Sequence, residues 1–252
     1  MNFTKSFSVI CFFASLLLAC GKKEDATICK QIPVKIMTAL SPTTHEYEYD
    51  GNNRLVRAKL GGDRNSLHIS YNSAGDVEKI GKSGFPFPIK PLVGVSIVSD
   101  SSIFEFSRNN KIITYDVTEY RNEEICDQYT ETIILNELNL PSKIEKKDGS
   151  YYTYLYDTRG NLISAKYTHD YLEFEYTYTY DNKNGIFSQI NTSKWCLIFM
   201  GYTDIYNNMV TEQRNNGQFS ELTFIYDTCG YAKTILNSFG TELTNIEYKY
   251  TD

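Results

Sequence analysis

Tyr152-Thr153-Tyr154-Leu155-Tyr156-Asp157-Thr158-Arg159-Gly160-Asn161-Leu162-Ile163 is the stretch that decides the fold. Tyr152, Tyr154 and Tyr156 alternate with Thr153 and Leu155, the two-residue period of an extended chain whose side chains point to opposite faces. Asp157 to Asn161 is turn chemistry: an Asp side chain bonds backbone two residues on, and Gly160 tolerates a positive φ. The unit reads strand, turn, strand, and its aromatic face requires a core.

Further copies run along the chain. Glu46 to Tyr49 alternates Glu with Tyr and turns at Asp50-Gly51-Asn52. Ile69 to Val77 substitutes Asn72 for the turn Asp and keeps Gly75. Leu172 to Asp181 is the longest alternation, with Leu, Phe and Tyr on one face and Glu and Thr on the other, followed by Gly185. Leu222 to Asp227 repeats it, with Gly230 three residues on. Arg108-Asn109-Asn110, Asn136 and Asn215-Asn216-Gly217 read as further hairpin turns. Turns near 50, 72, 136, 157, 181 and 227 give a repeat period of 20 to 30 residues in places. Between 185 and 201 the rhythm breaks, and Thr192 or Ser193 is placed to cap one short helix near 192–200, ended by Gly201. Phe85 to Pro91 carries three prolines and reads as an ordered loop or edge segment.

Composition agrees. The chain has 252 residues, 41% hydrophobic and 22% charged, which is ordinary for a core-forming protein. Tyr is the unusual component, 21 residues against one Trp, and favours strands. We therefore expect an all-β fold: a single antiparallel meander of about 12–16 strands, rolled or partly closed like a barrel around an aromatic core. Fourteen or so strands would enclose too wide a lumen for side chains to fill if round. Flattening, incomplete closure or the segment around Trp195 must fill it. The net charge of -6, with no basic stripe among the aromatics, argues against nucleic acid as a partner.

The N-terminus is a processing signal. Lys5 precedes an apolar run from Phe7 to Leu18, too short for a spanning helix, which needs about 20 residues. Leu17-Leu18-Ala19-Cys20 resembles the lipobox of bacterial lipoproteins, which implies a signal peptide over 1–19 and a lipid on Cys20. Lys23-Glu24-Asp25 resembles the Lys and acidic pair that, in one group of Gram-negative bacteria, sends lipoproteins to the exterior face of the outer membrane. The expected organisation is 1–19 signal peptide, 20–40 lipidated Cys and tether, and 41–252 repeat-built β domain. The expected address is the outer membrane, facing the exterior, with a periplasm-facing anchor as second choice. Cys29, Cys126, Cys196 and Cys229 remain for an oxidising compartment, where four thiols allow three pairings. Cys29 with Cys126 is the preferred pairing, because it would pin the N-terminal arm to the sheet; free buried thiols are the alternative.

The form Tyr154-Leu155-Tyr156-Asp157-Thr158-Arg159-Gly160-Asn161-Leu162 resembles the YD repeat of large secreted toxin-delivery proteins. Tyr178 to Phe187, Asn191 to Trp195, and Tyr226-Asp227 with Gly230-Tyr231 are similar to a family of lipoproteins of unknown function described as having a porin-like fold. The resemblance covers about residues 40 to 250 and implies a fold and a location, but no reaction.

No constellation for chemistry emerges. The Asp-x-x-Gly turns offer one or two carboxylates each, whereas calcium takes six to eight oxygens. His45, His68 and His169 are scattered with no metal-ligand spacing. Acyl transfer lacks a Gly-x-Ser-x-Gly nucleophile turn. Glu residues opposite an aromatic core read as solvated, and Tyr ladders as core, more readily than as glycosidase carboxylates or sugar platforms. Tyr hydroxyls at every depth, together with a lipid anchor, favour a water-soluble sheet over a lipid-facing barrel. We expect no enzyme, no cofactor and no metal, but a surface-anchored binding or interaction module whose ligand is a glycan or a protein. A glycan-active enzyme and a purely structural envelope protein are the alternatives.

Overall fold

The computed structural model describes residues 29–39, 43–61, 65–84 and 100–251. Among the described residues, sixteen strands and one helix follow one another. The first eight strands are β1 Gln31–Thr38, β2 Thr43–Tyr49, β3 Leu55–Leu60, β4 Ser66–Tyr71, β5 Val77–Ser83, β6 Ser101–Asn109, β7 Ile112–Arg121 and β8 Glu124–Leu135. Then come β9 Pro141–Glu145, β10 Tyr151–Tyr156, β11 Leu162–His169 and β12 Leu172–Tyr180. After α1 Lys194–Phe199 the chain closes with β13 Met209–Arg214, β14 Phe219–Tyr226, β15 Ala232–Asn237 and β16 Glu242–Tyr250. Each strand pairs antiparallel with its neighbours in sequence, and β1 pairs with β16, so the meander is a closed barrel. Closure leaves no free sheet edge.

Closure runs through a segment that the sequence assigned to the tether. Residues 31–38 form β1, with Ile36 opposite Ile246 of β16 and His45 of β2. Pro33 is accommodated at the register shift between Pro33 and Lys35, an irregularity of the kind at which strands tolerate proline. The barrel domain thus begins about ten residues earlier than the expected boundary at 41.

The hairpin turns share one geometry. In those opening at Asp50, Asn72, Asn136, Asp157, Asp227 and Asn237, the side-chain Oδ1 accepts the N–H groups two and four residues on, at 2.8 to 3.0 Å. The fourth residue is left-handed: Asn53, Gly75, Asn139, Gly160, Gly230 and Gly240, with φ between 59° and 93°. Gly51 is therefore not the conformationally demanding residue of its turn; Asn53 is, at φ 59°. The carboxylate and amide oxygens face backbone donors, which accounts for the Asp and Asn without a cation. Gly160 carries a second constraint, because a Cβ there would lie 2.8 Å from the Tyr206 ring. Gly160→Val is expected to lose about 1 to 3 kcal/mol through backbone strain alone, and an unchanged urea midpoint would contradict this.

Tyrosines near the ends of five strands have their own task. Tyr49, Tyr71, Tyr156, Tyr180 and Tyr248 each donate their hydroxyl to a backbone carbonyl on the preceding strand, of Pro33, Leu55, Pro141, Leu162 and Ala232, at 2.6 to 2.9 Å. Partners lie 15 to 18 residues apart. At Tyr49-Asp50 and Tyr156-Asp157, then, Asp shapes the turn inside a hairpin and Tyr fastens that hairpin to the strand before it, whereas Tyr226, before Asp227, donates its hydroxyl to Asp181.

The two faces of the wall differ. Tyr47, Tyr152, Tyr154, Tyr176 and Tyr178 are buried on the inner face. Outside, cross-strand pairs of opposite charge recur: Glu46 with Lys59, Glu48 with Arg57, Lys79 with Glu105, and Lys166 with Glu173, at 2.8 to 3.7 Å. Each exposed pair adds only about 0 to 1 kcal/mol. Their placement matters more than their strength, since a Lys or Arg facing lipid at the bilayer midplane costs about 2 to 4 kcal/mol.

Sixteen strands would leave an open channel if the lumen were empty. The chain between β12 and β13 fills it. Asp181, instead of opening a tight turn, pins the two ends of this insertion together: its carboxylate accepts the N–H and Nδ2–H of Asn208, both at 3.1 Å. Gly185 N–H then bonds the Tyr206 carbonyl and Phe187 N–H the Asp204 carbonyl, both at 3.0 Å, forming a narrow neck. Gly185 is required by closeness, as a Cβ would lie 2.6 Å from Asp204 O. Beyond the neck, α1 buries Trp195, Cys196, Leu197, Ile198 and Phe199. Ser193 occupies its N-cap position without a side-chain cap bond. Thr192 instead turns its hydroxyl to the barrel wall, accepting Leu55 N–H at 2.8 Å and meeting Tyr71 Oη at 2.9 Å. Gly201, at φ 86°, follows the helix.

The cysteine pairing differs from the preferred one. Cys29 is bonded to Cys229, Cα atoms 5.6 Å apart, while Cys126 is exposed and free and Cys196 is buried and free. Cys126 lies on β8, seven strands along the wall from β1, and closure brings Cys229, in the turn after β14, to the start of β1 instead.

Candidate functional site

Because the strands alternate direction, connections after even-numbered strands lie at one end of the barrel, with the start of β1 and the end of β16. That end holds the turns at Asp50, Asn72, Asp157 and Asp227 and the neck of the plug. Connections after odd-numbered strands lie at the opposite end, and there the plug stops short of filling the lumen.

A cavity of about 420 Å³ remains, bounded by β1 to β5, β15 and β16 and floored by the plug. Its size falls in the range of small-molecule sites, about 300 to 1,000 Å³. Ile36, Tyr47, Leu60, Leu67 and Ile235 form its wall, and Ile186, Phe187 and Tyr202 its floor. Phe187 meets Tyr202 at 4.5 Å and Tyr47 at 5.6 Å between ring centroids, which fixes the floor against the wall. Burial raises the Tyr47 and Tyr202 hydroxyls well above the ordinary phenol range.

Eight of the seventeen lining residues are polar, and Asn65 and Thr244 are among them. His45 shares the face of Tyr47, and burial lowers its pKa, favouring the neutral imidazole. Lys82 shares the face of Ile80; burial lowers its pKa, opposed by the charge of Glu119. Thr38, Ser66 and Ser83 line the same part of the wall, and the two serine hydroxyls meet at 2.8 Å. Asp204 belongs to the floor, its Oδ1 accepting Met209 N–H at 2.6 Å.

Another part of the lumen is polar. Buried Glu131 accepts the Tyr115 hydroxyl at 2.5 Å, Lys146 Nζ at 2.7 Å and Lys147 N–H at 3.3 Å. Lys147 pairs with Asp127 and lies 3.9 Å from the Tyr129 ring centre, and Tyr129 donates to Glu119 at 2.9 Å. Through the ion pairs of Lys146 with Glu131 and of Lys147 with Asp127, this cluster holds β7 and β8 to the turn after β9. On the plug, Lys194 donates to the Ile190 carbonyl at 3.2 Å, and burial pushes its pKa down to about 8.

Cys20, Lys23, Glu24 and Asp25 lie outside the described residues, as do Phe85 to Pro91. Among the described residues no group of three or more His, Cys, Asp and Glu is arranged to hold a metal. The turn residues gather mostly at the end opposite the cavity, so the repeat positions the site without entering it. The three histidines lie within strands β2, β4 and β11, and only His45 reaches the cavity. Sequence reasoning missed the cavity residues, although one signal was present: two-residue alternation places His45 on the Tyr47 face and Lys82 on the Ile80 face.

No family model matches the sequence, and no curated protein matches it. Among solved structures, a porin-like protein from Bacteroides vulgatus is similar over 87% of this chain and 99% of its own, at 12% identity and a TM-score of 0.40. Structures of TcdB2-TccC3-Cdc42 and of TcdB2-TccC3 contain a chain similar over 88% of this one at 9% identity, with TM-scores of 0.28 and 0.29. This chain spans only 14% and 15% of theirs. Likenesses at this level carry no functional information.

Proposed function

We propose that the protein is a non-catalytic binding barrel, lipid-anchored through Cys20 to the outer membrane and facing the exterior, with water on its outer wall. One observation carries this reading: the lumen is plugged by a folded insertion that leaves a bounded, mostly apolar cavity, while the outer wall carries paired charges. A plugged lumen conducts nothing, and a charged outer wall has no use for lipid. The lipobox and the charged residues after it support the anchor. A tether from Cys20 to Cys29 reaches at most about 30 Å, and it joins the barrel at the turn end, so the cavity end points away from the membrane.

The binding reading is tested with the chain lacking its first twenty residues, screened against a glycan array, protein partners and small apolar molecules. Saturable binding without turnover supports it. Turnover of a glycan would replace it with the enzyme reading, and silence in every arm with the structural one. For the anchor, Cys20→Ala is expected to abolish labelling by a palmitate analogue, because the lipobox cysteine is the lipid acceptor; label persisting in the variant would refute the anchor.

A further inference from the structure

We propose that the lumen cavity takes an uncharged, predominantly hydrocarbon molecule of about two to three rings, held by shape and apolar contact. The inference rests on the reading of the cavity as the ligand site and narrows it to a chemical class. Most of the surface facing the cavity is apolar, contributed by Ile36, Leu60, Leu67, Ile186, Phe187 and Ile235. Tyr47 and Tyr202 bond to one another through their hydroxyls, so their rings join that surface. An apolar cavity of about 150 Å³ admits one benzene, and this one, at about 420 Å³, has room for about two to three such rings. Flat rings suit the floor, because aromatic pairs gain from edge-on and offset contact beyond the area they bury.

The polar groups of the lining are engaged with the protein itself. Thr38 Oγ1 donates to the Thr43 carbonyl at 3.1 Å, the Ser66 and Ser83 hydroxyls meet at 2.8 Å, and Asp204 Oδ1 accepts Met209 N–H at 2.6 Å. Lys82 feels the charge of Glu119, and Asn65 also has a partner. A ligand rich in hydroxyls, such as a sugar, would therefore leave water without finding enough replacement bonds, which costs binding. Ions fare no better. Lys82 and Asp204 place one charge of each sign on the lining, so an ion of either sign meets a like charge there as well as losing its hydration. His45, favoured by burial as the neutral imidazole, adds no further charge and can meet a single polar atom of the ligand.

The experiment uses the chain without its first twenty residues and, as probe, fluorescent N-phenyl-1-naphthylamine, which is uncharged at neutral pH. Its competitors are naphthalenemethanol, naphthoate and naphthylmethylammonium, alike in shape and different in charge. Saturable probe fluorescence is expected, with the alcohol displacing it at concentrations at least about 10-fold below those of either ion. Leu67→Trp and, from another strand, Ile235→Trp fill the cavity, and each should abolish probe binding in protein that keeps its β-sheet circular dichroism. Phe219→Ala and Phe239→Ala, which remove exposed rings outside the cavity, should leave probe binding unchanged. Displacement by either ion as strong as that by the alcohol would overturn the uncharged class and leave the cavity as a ligand site. No saturable probe binding, or binding that survives both Trp variants in folded protein, would overturn the cavity reading beneath it.

Discussion

Phe199→Ala should destabilise the barrel by about 3 to 5 kcal/mol, the cost of truncating a buried aromatic. Phe199 is 1% exposed at the end of α1, and its ring meets Tyr115 at 5.2 Å, Phe106 at 5.6 Å and Phe104 at 5.9 Å between centroids. It joins the plug to β6 and β7, across the lumen from the neck. Edge-on aromatic pairs add about 0.5 to 1.5 kcal/mol beyond the area they bury. Phe239→Ala is the control: that ring is 89% exposed on the turn after β15 and should change the urea midpoint by less than about 0.5 kcal/mol. Equal, small losses at both positions would mean that the insertion does not pack in the lumen.

Removing the disulfide is the second large effect. Cys29 and Cys229 are 200 residues apart in sequence, so the bond restricts nearly the whole unfolded chain. Cys229→Ser is expected to lose about 2 to 5 kcal/mol, as is typical of native disulfides. Reduction of the unmodified protein should lower the urea midpoint to the same value. Cys126→Ser should leave it unchanged, because that thiol is free and exposed. A loss on Cys126→Ser matching that on Cys229→Ser would restore the Cys29–Cys126 pairing.

What the sequence revealed was local. Two-residue alternation at Tyr152–Tyr156 and Leu172–Tyr180 marks β10 and β12, whose inner and outer faces follow from it: Tyr176 and Tyr178 are buried, and Glu173, Thr177 and Thr179 exposed. The helix emerged from the break in that rhythm, while the width of the lumen left its filling role as one of three outcomes, beside flattening and incomplete closure. Long-range relations were hidden. Nothing near Pro33 signals that β1 will meet β16, since that pairing joins residues more than 200 positions apart and depends on every intervening hairpin. The disulfide stayed ambiguous for the same reason. The Tyr-Asp pairs were legible as turns, but the reach of the Tyr hydroxyl to the preceding strand is visible only once the strands are side by side. The cavity is the space the plug leaves, and residues such as Ile36, Leu67 and Ile235 share it only after closure.

The proposed barrel has an aromatic interior and a water-covered outer wall. Sedimentation velocity on the chain without its first twenty residues, in buffer free of detergent, tests this most directly. A single monodisperse species that stays soluble is the predicted result. Aggregation reversed only by detergent would mean that the outer wall belongs in lipid, contradicting the account.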